Sequence, residues 1–241
     1  MSVSERQATV ALVGNPNAGK SALFNALTGA RQKIANYPGV TVERKAGRLA
    51  LGSGAAAELL DLPGAYSFDA ASPDEEVTRK VIQGQLEGQA KPDVLVLVLD
   101  AANLEQHLVF AQEVLELGLP TVVALNMVDL AERDGLQIDP DALASSLGVP
   151  VVATVAVRKR GLDSLREGIA NTLQAAQTNA ASASGAAKAY GTLSERRLAA
   201  KHMAKAATLS SSTRRTVEQG ADAILLNPWL GPVILLSLIH I

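Results

Sequence analysis

Gly14-x-x-x-x-Gly19-Lys20-Ser21 stands between the apolar run TVALVG (9–14) and the helical KSALFNALTG. Glycines in such a loop let the backbone curl so that successive N–H groups and a helix N-terminus face phosphate oxygens. The cradle would be Gly14, Asn15, Pro16, Asn17, Ala18 and Gly19. Lys20 would reach the β- and γ-phosphates, and Ser21 would ligate Mg²⁺. Asp-Leu-Pro-Gly follows at 61–64: Asp61 would hold the Mg²⁺ through water, Leu62 and Pro63 would line the site, and the Gly64 N–H would sense a γ-phosphate. A third motif, Asn126-Met127-Val128-Asp129, closes another apolar run, where ligand sites gather in open α/β sheets. Asp129 can accept from N1–H and N2–H₂ of guanine, a pair that adenine does not offer, so GTP or GDP is expected and ATP is not.

Between the first two motifs lies NYPGVTVERKAG (36–47). Its Gly39, Val40 and Thr41 form a loop in which Thr41 would ligate Mg²⁺ only with GTP bound, ordering the segment as a switch. Asn17 and Ala65 pose a further question. GTPases of the Ras type place a water-orienting glutamine just after Asp-x-x-Gly; here that position is Ala65. No arginine is fixed by sequence to act in cis. The amide oxygen of Asn17 could hold a monovalent cation against the phosphates together with carbonyls of 36–39, adding no repelling charge. The alternative is an Asn17 that only bonds the loop backbone, as Asx residues often do.

Elements must position these groups. The runs TVALVG, DVLVLVLD (93–100), PTVVALN (120–126) and VPVVATVAV (149–157) read as buried parallel strands. RKAGRLAL and AAAELLDL read as a further pair. Helices are expected at 72–86, which opens on a Ser72…Glu75 capping box with Pro73, and at 105–117, 139–148 and 161–173. The alternation defines a doubly wound, mostly parallel α/β sheet of the P-loop GTPase (Ras-like) class over 1–174. A small-residue linker and an abbreviated, basic helical segment are expected over 175–222.

The chain has 241 residues, 48% of them hydrophobic, a net charge of −2 and no cysteine. That balance gives no global field toward nucleic acid and leaves neither disulfides nor thiolate metal sites. Residues 224–241 carry no charged side chain and read as the start of a membrane helix, entered from the cytoplasmic side because six Lys/Arg precede it in 191–222. The last six residues, LSLIHI, equal the in-frame translation of the transposon end CTGTCTCTTATACACATC, so 236–241 are expected to be foreign to the natural chain. His107, His202 and His240 read as surface histidines rather than metal ligands.

GNPNAGKSALFNALTG, NYPGVTVERK, DLPGAYS, DAANLEQHL and ALNMVD together resemble the cytosolic GTPase domain of the bacterial ferrous iron transport protein B family. The likeness covers about 8–174 and resumes at LLNPWLGPVILL. It implies a GTP-hydrolysing G domain in the cytoplasm, a helical domain that tunes nucleotide release, and a Fe²⁺-transporting part in the inner membrane that this chain lacks. Small accessory Feo proteins are implied partners, and K⁺ stimulation through an asparagine at the Asn17 position agrees with the resemblance. Thr154-Val155-Ala156-Val157 stands where the family carries a Ser-Ala or Ser-Thr pair, so only the Ala156 backbone is assigned to guanine O6. Met127 replaces a lysine that many GTPases hold over the nucleotide, which points to weaker GDP retention. The competing reading is a soluble GTPase of ribosome or tRNA maturation, which would need a basic RNA-binding appendage.

Overall fold

The computed structural model describes residues 7–29, 32–37, 40–52, 55–68, 72–178 and 191–211. A seven-stranded sheet runs in the order β2-β3-β4-β1-β5-β6-β8. Its members are β1 (Thr9–Val13), β2 (Gln32–Asn36), β3 (Glu43–Ala50), β4 (Ala56–Asp61), β5 (Val94–Asp100), β6 (Thr121–Asn126) and β8 (Val151–Ala153). From β4 to β8 neighbouring strands are parallel, and β2 and β3 close the edge antiparallel. Helices α1 (Lys20–Thr28), α2 (Pro73–Gln83), α3 (Leu104–Glu116), α4 (Val128–Arg133), α5 (Pro140–Leu147) and α6 (Leu162–Thr178) connect them. After residue 190 come α7 (Leu193–Ala207) and β9 (Thr208–Ser211), which pairs antiparallel with β7 (Leu136–Ile138).

Alternation within the apolar strands divides the core between the two faces of the sheet. Leu95, Leu97 and Leu99 of β5 meet Leu108, Phe110 and Val114 of α3 and Val77 and Val81 of α2. Val94, Val96 and Val98 point the other way, onto Phe24 and Leu27 of α1 and Leu165 and Ile169 of α6. Both faces are covered, which is why these strands read as unbroken Val/Leu runs. Strand β1 lies between β4 and β5, so connections leave it in opposite directions and open a crevice at its carboxyl end. The first glycine loop begins there.

Several expectations are corrected. Helix α6 continues to Thr178, across the expected boundary at 174, because Ala175, Ala176 and Gln177 are compatible with helix. The basic segment is one helix only to Ala207; β-branched Thr208 then starts strand β9 against β7. Strand β2 was not expected, since QKIAN is exposed at every position and shows no alternation. Ser72 Oγ accepts from Glu75 N–H at 3.3 Å as the capping box requires, while a Glu75 carboxylate oxygen accepts from Tyr66 N–H at 3.2 Å. The 224–241 segment, with His240, lies outside the described residues. Among the described residues no helix is long and apolar enough to cross a membrane.

Candidate active site

The loop at the end of β1 is shaped by its neighbours. Gly19 caps α1 at φ 84° in the left-handed region, and a Cβ there would collide with Asn126 Nδ2. Asn17 is exposed, also left-handed at φ 66°, and Asn15 is 2% exposed. Lys20 folds back so that its Nζ donates to Gly14 O (3.1 Å) and Asn15 O (3.2 Å). Burial holds the Lys20 ammonium below the ordinary lysine range, with Asp61 opposing that shift.

Asp61 ends β4 beside Leu12 of β1. Ser21 Oγ donates to Asp61 Oδ2 at 3.3 Å, and Asp61 Oδ1 is buried with no hydrogen-bond partner among the described residues. Burial pushes the carboxyl up, and Lys20 and Ser21 pull it down. A buried carboxylate oxygen beside a hydroxyl, at a cavity of about 230 Å³, is a donor set that suits a hard divalent cation. Lys20, Ser21, Asp61, Leu62, Pro63 and Gly64 line that cavity with Val42, Glu43, Lys45 and Asp74. Gly64 is fixed by space: an added Cβ would lie 3.0 Å from Pro16 N and 3.1 Å from Lys20 Nζ. Backbone bonds hold the stretch to the loop, Leu62 N–H to Leu12 O (3.1 Å) and Ala65 N–H to Gly14 O (3.4 Å).

Thr41 is exposed and does not line this cavity, and Val40 is 37% exposed. Gly39 lies outside the described residues. Tyr37, which sequence reasoning passed over, is 1% exposed, and its hydroxyl has no partner among the described residues. Burial pushes its pKa up to about 12. The apolar ring before a Pro-Gly pair was the available signal.

On the base side, Asn126 acts as a strut. Its Nδ2 donates to Ala18 O (3.1 Å), and its Oδ1 accepts from Ala156 N–H (3.1 Å) and Thr154 Oγ1 (3.3 Å). The assignment of Ala156 N–H to guanine O6 is therefore corrected, because that amide is turned inward onto Asn126. The following residue, Val157, is 79% exposed at the same rim. Met127 is left-handed at φ 60° and caps α4. Asp129 follows, its carboxylate 3.5 Å from Arg158 Nε, a contact the motif gave no hint of.

His107 also requires correction. It is 6% exposed, and its Nδ1 accepts from Asp100 N–H at 3.2 Å. Leu104, Leu108 and Ala111 share its buried helix face, so the spacing carried the signal. Burial holds its pKa below the ordinary value. Protonation therefore favours the unfolded chain, and this contribution is lost as pH falls below about 6.5. Relative to His107→Asn, the parent is expected to lose up to about 1.4 kcal/mol per pH unit in that window, measured by urea unfolding. An equal pH slope in both proteins would contradict this. His202 is exposed, as expected.

The loop at β1, Asp61 at β4 and Asn126 with Asp129 after β6 converge at one end of a mostly parallel sheet. That arrangement is the fold of a P-loop GTPase. The family model for ferrous iron transport protein B matches residues 8–169, and the chain belongs to that family. The Fe(2+) transporter FeoB of Salmonella typhimurium is 47% identical over 165 residues, which are 67% of this chain and 21% of that protein. The chain thus spans about a fifth of the length of the curated relatives it matches. The cytosolic domain of L. pneumophila FeoB aligns at 43% identity and TM-score 0.63, covering 68% of this chain and 63% of that one. A GDP form of the T. maritima FeoB cytosolic domain aligns at 28% identity and TM-score 0.71, covering 84% and 98%.

Proposed function

We propose that this chain is the GTP-binding and GTP-hydrolysing portion of a ferrous iron transporter of the bacterial inner membrane, with its G domain in the cytoplasm. The observation that carries the reading is the Lys20–Ser21–Asp61 cluster, in which Lys20 and Asp61 are buried, Ser21 Oγ donates to Asp61 Oδ2, and Asp61 Oδ1 has no hydrogen-bond partner among the described residues. Solved FeoB cytosolic domains bound to GDP or in a GMPPNP form support the nucleotide assignment.

In this reading the 14–19 backbone cradles the phosphates, and Lys20 exchanges its two carbonyls for β- and γ-oxygens. Ser21 and Asp61 would hold Mg²⁺, which when bound would supply charge neutralisation at the phosphates. Gly64 N–H faces the γ-phosphate with no side chain in the way. Asn126 keeps the base loop against Ala18 O, Asp129 accepts from guanine, and Val157 N–H takes the O6 role. Thr41, exposed here, would ligate Mg²⁺ only with GTP bound. Asn17 contributes an amide oxygen to K⁺. Among the described residues no arginine lines the Lys20–Asp61 cavity, whose cations are Lys20 and Lys45. That leaves the finger role open to a bound ion.

Nucleotide state can also reach α7. Glu113 of α3 accepts from Phe68 N–H (2.8 Å) and Ser67 Oγ (3.1 Å), just after Gly64, and lies 3.7 Å from Arg196 of α7. Residues 223–241 as a membrane entry, Fe²⁺ as cargo of the missing portion, and accessory Feo partners belong to the same proposal. Phosphate release on adding GTP with Mg²⁺, but not ATP, tests it; no release with either nucleotide would refute it.

Two substitutions refine the site. Asp129→Asn is expected to weaken GTP binding by about 1–3 kcal/mol, because an amide cannot accept from both guanine donors. Calorimetry showing parental affinity would remove Asp129 from the base site. Thr41→Ala is expected to spare GDP affinity and to slow turnover, read by fluorescent-GDP titration beside steady-state hydrolysis. Parental turnover would assign the missing ligand elsewhere.

A further inference from the structure

Helix α7 buries Ala200 and Ala207 against the G domain and turns a different face outward. Arg197, Lys201 and Lys205 recur every fourth residue along that exposed side, spanning about 12 Å of helix. Among the described residues none of the three has an ion-pair partner, whereas neighbouring Arg196 is bonded to Glu116. They border a groove of about 730 Å³ lined also by Leu104 and Leu136, with Glu105 its one acid among the described residues. Leu198 is 58% exposed on the same side of α7, and Leu209 of the following strand is 67% exposed. Cations without an ion-pair partner among the described residues, with one exposed leucine among them and another just beyond, are the composition of a surface that rests on an anionic bilayer.

We propose that the outer face of α7 is a membrane-contact surface, with Arg197, Lys201 and Lys205 binding anionic phospholipid headgroups and Leu198 entering the interface. Charge complementarity selects the occupant. Tether length agrees: the uncharged 224–241 stretch begins only 13 residues after Ser211, a reach of at most about 45 Å. The inference rests on the transporter reading for that stretch, but its cations are separate from the nucleotide site. A protein partner or an RNA would use the same charges, and both are outcomes of the test.

The full chain is sedimented at low salt with phosphatidylcholine vesicles, and with vesicles that also contain phosphatidylglycerol. The expected result is a preference for the anionic vesicles that Arg197→Gln/Lys201→Gln/Lys205→Gln removes. Each cation near an anionic surface is worth about fivefold, so losing three should cost about a hundredfold or slightly more. Leu198→Ser should weaken binding to both vesicle types, and GDP affinity should stay at the parental level in both variants. Equal partitioning of parent and triple variant onto anionic vesicles would overturn the proposal and leave the transporter reading standing; no binding to either vesicle type would count against both. Displacement by inorganic phosphate at matched ionic strength, or tighter retention by RNA or an acidic peptide than by anionic vesicles, would also overturn it.

Discussion

Lys20→Ala is expected to lower kcat for GTP hydrolysis by about 10²–10³-fold, the usual cost of removing one preorganised electrostatic donor. The Lys20 ammonium is buried, held by two loop carbonyls 3.1 and 3.2 Å away, and kept below its ordinary pKa. It is thus poised to gain from an arriving anion more than an exposed lysine would. The melting temperature without nucleotide should move little, because the same burial makes the charge costly to the empty fold and its attraction to Asp61 offsets part of that cost. Single-turnover hydrolysis at saturating GTP, with thermal unfolding alongside, separates the two effects. Turnover within a factor of about three of the parent would remove Lys20 from the phosphate site.

Exchanging KCl for NaCl at equal ionic strength is expected to slow hydrolysis at least tenfold, a fraction of the ~10³–10⁵ supplied by an arginine finger. Asn17→Ala should erase the difference while leaving GDP affinity nearly unchanged. Asn17 stands at φ 66°, which asparagine tolerates better than most residues, and its side chain is exposed rather than spent on the loop. Identical parental rates in the two salts would falsify the potassium assignment. A surviving difference in Asn17→Ala would move the ion to other oxygens.

Much of this architecture was legible because burial writes itself into composition. The β1, β5 and β6 runs are largely apolar on both faces since helices cover both, which accounts for seven consecutive buried residues in β5. The turn from β1 into α1, with Gly19 at the helix start, was legible from glycine spacing. Strand β2 was hidden because its residues are all exposed and, among the described residues, it pairs only with β3. Strands β7 and β9 are three and four residues long and exist through each other, which no local pattern reports. Ala156 was misassigned by reading identity without hydrogen bonds, since only the structure shows its amide spent on Asn126. His107 was misread for its polarity, although its spacing from Leu104 and Leu108 placed it inside.

The pairing of β9 with β7 has a mechanical meaning. The register sets Ser211 opposite Leu136, and Leu136 follows α4, the helix that carries Asp129, after only two residues. Among the described residues, a pull applied at Ser211 meets that rung first. Antiparallel rungs loaded from one end open in sequence rather than together, so the yield point is low and local. Tension applied at Ser211 is therefore passed first to β7 and, two residues upstream of it, to α4 with Asp129.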